Sequence, residues 1–214
     1  MIQTPVQTLA NVAEGLRDDE IHVWRVGYRP QGGRAPLRRV LGAYLGLPPA
    51  EVFLTEGEHG RPMLAAGHEQ GFGFNWSHSG DHALIAIGRQ VSPGIDIERE
   101  RDRPRALEIA RRYFTMEETT ALASLSGDDR HLAFLELWTA KEAVLKALGR
   151  GIAFGLHRLC ISSGSGALKL RRLEGDDATA WQLRRLEPGP ALIGALAWRG
   201  EPRKIRQGLL AIDD

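Results

Sequence analysis

Leu135 to Ile152 reads LELWTAKEAVLKALGRGI. At about 100° per residue, Phe134, Leu137, Trp138, Leu145 and Leu148 gather on one helical face, with Leu135 at its shoulder. Lys141 falls near the middle of that apolar arc, and Glu142 falls between the directions of Trp138 and Leu135. A helix patterned this way must press its arc into a core, where an unpaired charge is costly. The chain therefore has to fold so that both side chains meet a partner or a ligand. Lys146, four residues after Glu142, lies on the same shoulder and reads locally as a surface Glu–Lys pair. Gly149 to Gly151 reads as a helix stop.

The rest of the chain sets that helix among short strands. IHVWRV (Ile21 to Val26) has the alternating polarity of a strand. RAPLRRVLGAYLG has helical spacing, with Pro36 suited to a first turn. VFLTE, EHGRPML, FGFNWS, ALIAIG and PGIDIE follow as short strands or loops between Gly- and Asp-rich turns. From Arg105 the pattern turns helical through ALEIARRYF, TMEETTALASL and roughly Asp128 to Leu148, with a capping box at Thr115 and Glu118. Strands return at RLCIS, ALKLRRL, AWQLRRL and ALIGALAW, with a loop at Ser162 to Gly166. Hairpins without regular βαβ alternation argue for an α+β fold with antiparallel sheets. A hinge near Glu98 to Pro104 divides the chain into residues 1–100 and 101–214, each with one long helix and strands.

At 43% hydrophobic and 26% charged, the 214 residues suffice for a sizeable core. No run of roughly 18 apolar residues is present, which argues against a membrane span. The first twenty residues lack the pattern of a signal peptide, so a soluble cytoplasmic protein is expected. Cys160 is the only cysteine, which excludes an intrachain disulfide and a cysteine-based zinc site. A net charge of +1 indicates no partner by itself, and no basic stripe interleaved with aromatics points to nucleic acid.

In PGIDIE, Asp96 and Glu98 project from the same side of a strand while Ile95 and Ile97 face the other. Adjacent carboxylates repel unless a cation lies between them, although a solvated edge strand is the plainer reading. Glu142 would complete a hard oxygen set suited to Mg²⁺, an ion that usually keeps waters and substrate phosphates. Ser77 and His78 end a strand and could donate to an anion. The Ser79–Gly80–Asp81 turn argues against His78 and His82 as a zinc pair. Arg34, Arg38 and Arg39, and separately Arg61, are phosphate candidates, although solubilising surface charge is the plainer reading of any single arginine.

In order and spacing, the GRP turn, FNWSHS, GIDIE, FTMEE and WTAKEAVLKALGRGI closely resemble the surfactin-type 4′-phosphopantetheinyl transferases, over about Trp24 to Ile152. The resemblance implies a pseudo-dimeric monomer of two similar halves, each a long helix against an antiparallel sheet, with coenzyme A in the cleft between them. It implies Mg²⁺, or Mn²⁺ in its place, held by Asp96, Glu98 and Glu142. It further implies coenzyme A contacts from Lys146, Ser77, His78, Arg61, Arg38 and Arg34, of which Arg38 is preferred to Arg34 near the N-terminus. Glu142, Lys146 and Asp96 would be catalytic, with Glu142 also the candidate to accept the serine proton. Lys141 would be a wall of the site.

The partner would be an apo acyl or peptidyl carrier protein, with neither nucleic acid nor membrane involved. The segment Arg99 to Arg112 and the TMEETTALASL helix would form its docking face. The competing readings are a Mg²⁺-dependent nucleotide phosphohydrolase using the same carboxylates and a non-enzymatic binding module in which the charges form ion pairs.

Overall fold

Short apolar segments bounded by glycine, proline and aspartate become strands, and longer runs with 3.6-residue spacing become helices. The computed structural model describes residues 6–9, 15–57, 60–68, 71–101, 103–164 and 167–211. Part of the Ser162–Gly166 loop, at 165 and 166, falls outside the described residues, as does residue 102 of the hinge. The first stretch holds β1 (Val6–Thr8), β2 (Glu20–Gly27), α1 (Ala35–Leu45), β3 (Leu54–Glu56), β4 (Pro62–Leu64), β5 (Phe72–Ser79), β6 (His82–Arg89) and β7 (Gly94–Arg99). After it come α2 (Ala106–Tyr113), α3 (Met116–Ala123), α4 (Gly127–Leu148), β8 (Leu159–Gly164), β9 (Ala167–Leu173), β10 (Trp181–Gly189), β11 (Leu192–Arg199) and β12 (Lys204–Ala211). The fold is α+β.

Two sheets form its centre. One has the order β1-β12-β2-β6-β5, parallel at the β1/β12 and β12/β2 pairs and antiparallel elsewhere, which corrects the expectation of a purely antiparallel sheet because β12 arrives from the far end of the chain. The other, β10-β11-β7, is antiparallel throughout. They exchange strands along the sequence: β7 joins β11, and β12 inserts between β1 and β2. Leu37, Val40, Leu41 and Tyr44 of α1 pack with Trp24, Ile85 and Ile87 on one face of the first sheet. Ile21, Val23, Leu84 and Ala86 on its other face meet Ile95, Ile97, Leu196 and Trp198 of the second sheet. The far face of the second sheet, with Ile193, Ala195 and Ala197, packs against α4. The layers thus stack as α1, first sheet, second sheet, α4.

This stacking explains where the sequence pattern of β2 departs from alternation. Both faces of β2 are covered, so His22 is fully buried and bonds the Tyr44 hydroxyl at 2.7 Å. The hydroxyl also accepts from Trp24 Nε1 at 2.6 Å. The charged KIRQGLLA segment, for which the sequence pattern predicts no element, forms β12; Gly208 admits the Trp24 ring where a Cβ would lie 2.6 Å from it.

Lys141 and Glu142 face different neighbours. The Lys141 ammonium is 0% exposed and ion-pairs with Glu118 at 2.8 Å. It also donates to the carbonyls of Leu156 at 2.9 Å and Leu159 at 2.6 Å and lies over the Phe114 ring. Glu118 Oε1 accepts from Ile161 N at 2.8 Å, and its Oε2 accepts from Thr115 N at 2.9 Å within the capping box of α3. Lys141 is therefore a core strut joining α4 to α3 and β8, which corrects its reading as a wall of the site. Breaking such a pair leaves a buried charge uncompensated, at a cost of about 3–5 kcal/mol.

Gly94 fixes the spacing on the opposite side of α4. A Cβ there would lie 2.0 Å from the Ala143 carbonyl oxygen and 2.3 Å from Ala147 N, both backbone atoms that cannot swing aside. Gly94→Ala is expected to lower stability by about 1–3 kcal/mol or more through overpacking. Gly27→Ala, where a Cβ meets nothing within 4 Å, should cost only the few tenths typical of an open position; urea unfolding compares the two.

Candidate active site

β5 is an edge strand of the first sheet and β7 an edge of the second. They run side by side, joined by the polar stripe that every second residue of FNWSHS presents. Asn75 Oδ1 accepts from Ile95 N at 2.9 Å, Ser77 Oγ donates to Asp96 Oδ1 at 2.7 Å, and Ser79 Oγ donates to Glu98 Oε2 at 3.1 Å. Period-2 spacing of Asn75, Ser77 and Ser79 is the sequence signal for this seam, and of the three only Ser77 is an expected site residue.

With Ile95 and Ile97 in the inter-sheet core, Asp96 and Glu98 project toward α4. Lys146 Nζ of α4 bonds Asp96 Oδ1 at 2.7 Å and Ser77 Oγ at 2.9 Å. Glu98 sits 3.1 Å from Arg103 Nη2. Glu142, one helical turn before Lys146, is 8% exposed, and its Oε1 has no hydrogen-bond partner among the described residues. Burial first, and then the charges of Asp96 and Glu98, push its carboxyl up to about 7, with Lys146 opposing. The pair Asp96–Lys146 is the best-formed charge contact of the cleft, and Glu142 keeps an unpartnered Oε1 among the described residues.

A cavity of about 390 Å³ opens here, lined by Arg61, Asn75, Trp76, Glu142, Lys146 and Ile152 among others. A second, of about 500 Å³, lies beyond Arg61 against Met63, Phe72 and Phe74. His78 is stacked on Tyr28, with ring centroids 4.2 Å apart and planes at 17°, and Trp76 stands tilted beside both rings. Burial, then the Lys146 charge, holds the His78 imidazole below its ordinary value, with Asp96 opposing.

The sequence profile described as the 4′-phosphopantetheinyl transferase superfamily matches residues 92–197, the segment that carries Asp96, Glu98, Glu142 and Lys146. The 4′-phosphopantetheinyl transferase HetI of Nostoc sp. is 34% identical over 207 residues, 93% of this chain and 85% of HetI.

The chain belongs to the 4′-phosphopantetheinyl transferase superfamily.

The 4′-phosphopantetheinyl transferase psf-1 of Bacillus pumilus is 33% identical over 158 residues, 73% of this chain and 65% of psf-1. Protein slr0495 of Synechocystis sp. is 37% identical over 126 residues, 59% of this chain and 51% of slr0495, so the match spans about half of that relative.

Within this chain, the structure brings Asp96, Ser77, Lys146 and Glu142 together, with Glu98 and His78 flanking. Among the described residues, no three His, Cys, Asp or Glu side chains make a ready group around a metal ion. The donor chemistry nevertheless fits a hard divalent cation: three carboxylates, one with an orphaned buried oxygen and a raised proton affinity that a cation would relieve. The arginines are engaged otherwise. Arg34 pairs with Glu56 at 2.6 Å, and Arg38 Nε donates to the Val52 carbonyl at 3.3 Å. Arg61 reaches the cleft with Nη1 on the Lys146 carbonyl and Nη2 near the Phe74 carbonyl and Ser92 Oγ.

Glu142 supplies a pH test that needs no turnover. Folded, it holds its proton up to about 7, whereas unfolded it releases it near 4.5. Between these values the native state binds more protons, so stability falls as pH rises. Wild type should lose about 1–3 kcal/mol relative to Glu142→Gln between pH 4.5 and pH 8. Parallel pH dependences in thermal unfolding of the two proteins would contradict the raised proton affinity.

Proposed function

We propose that this chain transfers the 4′-phosphopantetheine arm of coenzyme A to a serine of an apo acyl or peptidyl carrier protein, releasing adenosine 3′,5′-bisphosphate. The observation that carries this reading is the junction of Asp96, Ser77, Lys146 and Glu142 at one cleft, in a chain of this superfamily.

Lys146 presents the positive charge. Its ammonium is held by Asp96 and Ser77 at the cavity wall, where it can pass its hydrogen bonds to pyrophosphate oxygens that gain charge as the leaving group departs. The carrier serine oxygen forms a bond to the β-phosphorus, and the phosphoanhydride bond breaks with its electron pair leaving on the bisphosphate. Glu142 is placed to take the serine proton directly or through a water, and a proton affinity near neutrality suits a general base. Asp96, Glu98 and Glu142 would hold Mg²⁺, or Mn²⁺ in its place, which when bound supplies electrostatic stabilisation of the pyrophosphate. A carboxylate bound to the metal is a weaker base, so the metal role of Glu142 ranks first. His78, kept in place by Tyr28, is a candidate contact for the nucleotide phosphates, as are Arg34 and Arg38 if they exchange their present partners.

The pseudo-dimeric organisation and the halves 1–100 and 101–214 belong to the same proposal, with β7 and β12 each exchanged into the sheet of the other half. Its support is that α1 and α4 each cover the outer face of one of two sheets packed together. Exposed Arg105, Arg111 and Arg112, beside exposed Tyr113 and Met116, support docking of an acidic carrier helix at α2–α3. No helix among the described residues is long and apolar enough to cross a membrane; action on cytoplasmic carriers as a monomer completes the reading.

Incubation with coenzyme A, Mg²⁺ and a panel of apo carriers, followed by intact-mass measurement, should add one phosphopantetheine unit to at least one carrier. Cleavage of coenzyme A at the same rate without a carrier would favour the phosphohydrolase reading instead. Glu142→Gln should abolish transfer while leaving coenzyme A binding measurable; near-normal turnover would remove both roles from Glu142.

A further inference from the structure

The turn between β3 and β4 places one arginine where three separate segments meet. Gly57 N donates to the Arg61 carbonyl at 2.8 Å, which closes that turn and fixes the backbone of Arg61. Its guanidinium then leaves the hairpin and crosses to the far side of the cleft. Nη1 donates to the carbonyl of Lys146 in the last turn of α4. Nη2 donates to the Phe74 carbonyl of β5 at 3.2 Å, to Ser92 Oγ at 3.1 Å and to the Pro93 carbonyl at 3.4 Å, just before β7. One side chain thus ties α4, β5 and the approach to β7, the three elements that supply Lys146, Ser77 and Asp96.

The contact with α4 is chemically directed. The last carbonyls of a helix lack intrahelical partners and carry the negative end of its dipole, so a cation there is favourable. The Lys146 carbonyl accepts from Gly149 N at 3.2 Å and has a second lone pair, which Arg61 takes. A planar guanidinium can hold several carbonyls in fixed directions, whereas an ammonium on a flexible stem cannot. The residue whose carbonyl is held is the one whose ammonium sits 2.7 Å from Asp96 and 2.9 Å from Ser77.

We propose that Arg61 is a positioning residue: by holding the Lys146 carbonyl to β5 and to the entry of β7, it fixes the Lys146 ammonium between Asp96 and Ser77. This differs from a direct phosphate contact, since both terminal nitrogens face protein acceptors. The geometry stands by itself; its effect on turnover rests on the transferase reading.

Lysine labelling gives a clean readout, because Lys141, Lys146, Lys169 and Lys204 are the chain's four lysines. With ¹³C at the ε-carbons, Lys146 is assigned by its loss in Lys146→Arg. In the full-length protein, both Arg61→Gln and the charge-conserving Arg61→Lys should move the Lys146 signal to the position of exposed Lys204, the extra lysine signal of Arg61→Lys being told apart by its persistence when Lys146→Arg is added. The buried Lys141 signal should stay and report an intact fold. The same variants should lose about tenfold in kcat for carrier modification, with Kd for coenzyme A changed less than about threefold.

An unmoved Lys146 signal, or a loss confined to coenzyme A affinity, would overturn the proposal in favour of a phosphate contact. Collapse of Lys141 together with Lys146 in both variants would make Arg61 a general stabiliser and overturn it equally. If wild type modifies no carrier while Lys146 shifts as expected, the positioning role stands and the transferase reading falls.

Discussion

Gly94 lets β7 press its backbone against α4 where any side chain would strike the Ala143 carbonyl, at 2.0 Å from a Cβ. Two residues later on the same face, Asp96 meets Lys146, and the next position on that face is Glu98. The close approach is what converts two ordinary carboxylates and a helix lysine into a site. Its counterpart is the Lys141–Glu118 pair, which holds the other side of α4 to α3 and β8. Between these two constraints the helix has little freedom to rotate, and Glu142 is held at the cleft although nothing among the described residues satisfies its Oε1.

That dissatisfaction is the physical signature of the site. A fold selected for stability alone would not leave a nearly buried carboxyl beside Asp96 and Glu98, with its proton affinity raised to about 7. Lys146 compensates Asp96 at 2.7 Å and Arg103 sits 3.1 Å from Glu98, so Glu142 is the carboxyl of the cluster whose Oε1 stays unpartnered among the described residues. A cation and a pyrophosphate together would meet both needs: positive charge for the carboxylates and new acceptors for Lys146.

Much of this was legible in the sequence. Strand alternation put Asp96 and Glu98 on one side and the isoleucines on the other, and the structure follows it. The capping box at Thr115 and Glu118 is formed, and α4 spans the expected stretch with glycine at its stop. The helical arc correctly required partners for Lys141 and Glu142, but one projection cannot separate two neighbours on opposite flanks. Lys141 belongs to a core that α3 and β8 close from 23 residues before and 18 after, a contact no local period encodes. β12 escaped for a similar reason: its charges suit a surface, yet it lies between β1 and β2, with glycine admitting Trp24. The engagement of Arg61 with four protein acceptors depends on three distant segments, so its residue type alone suggested an anion contact.

The central claim is that the carboxylates of β7 and α4 act with Lys146 on a metal-bound pyrophosphate. Calorimetric titration of coenzyme A into the protein, in Mg²⁺ and in chelator, tests it most directly. The account predicts binding at least about tenfold tighter with Mg²⁺ in wild type, and no such difference in Asp96→Asn. Equal affinity in chelator and in Mg²⁺ for wild type would contradict it.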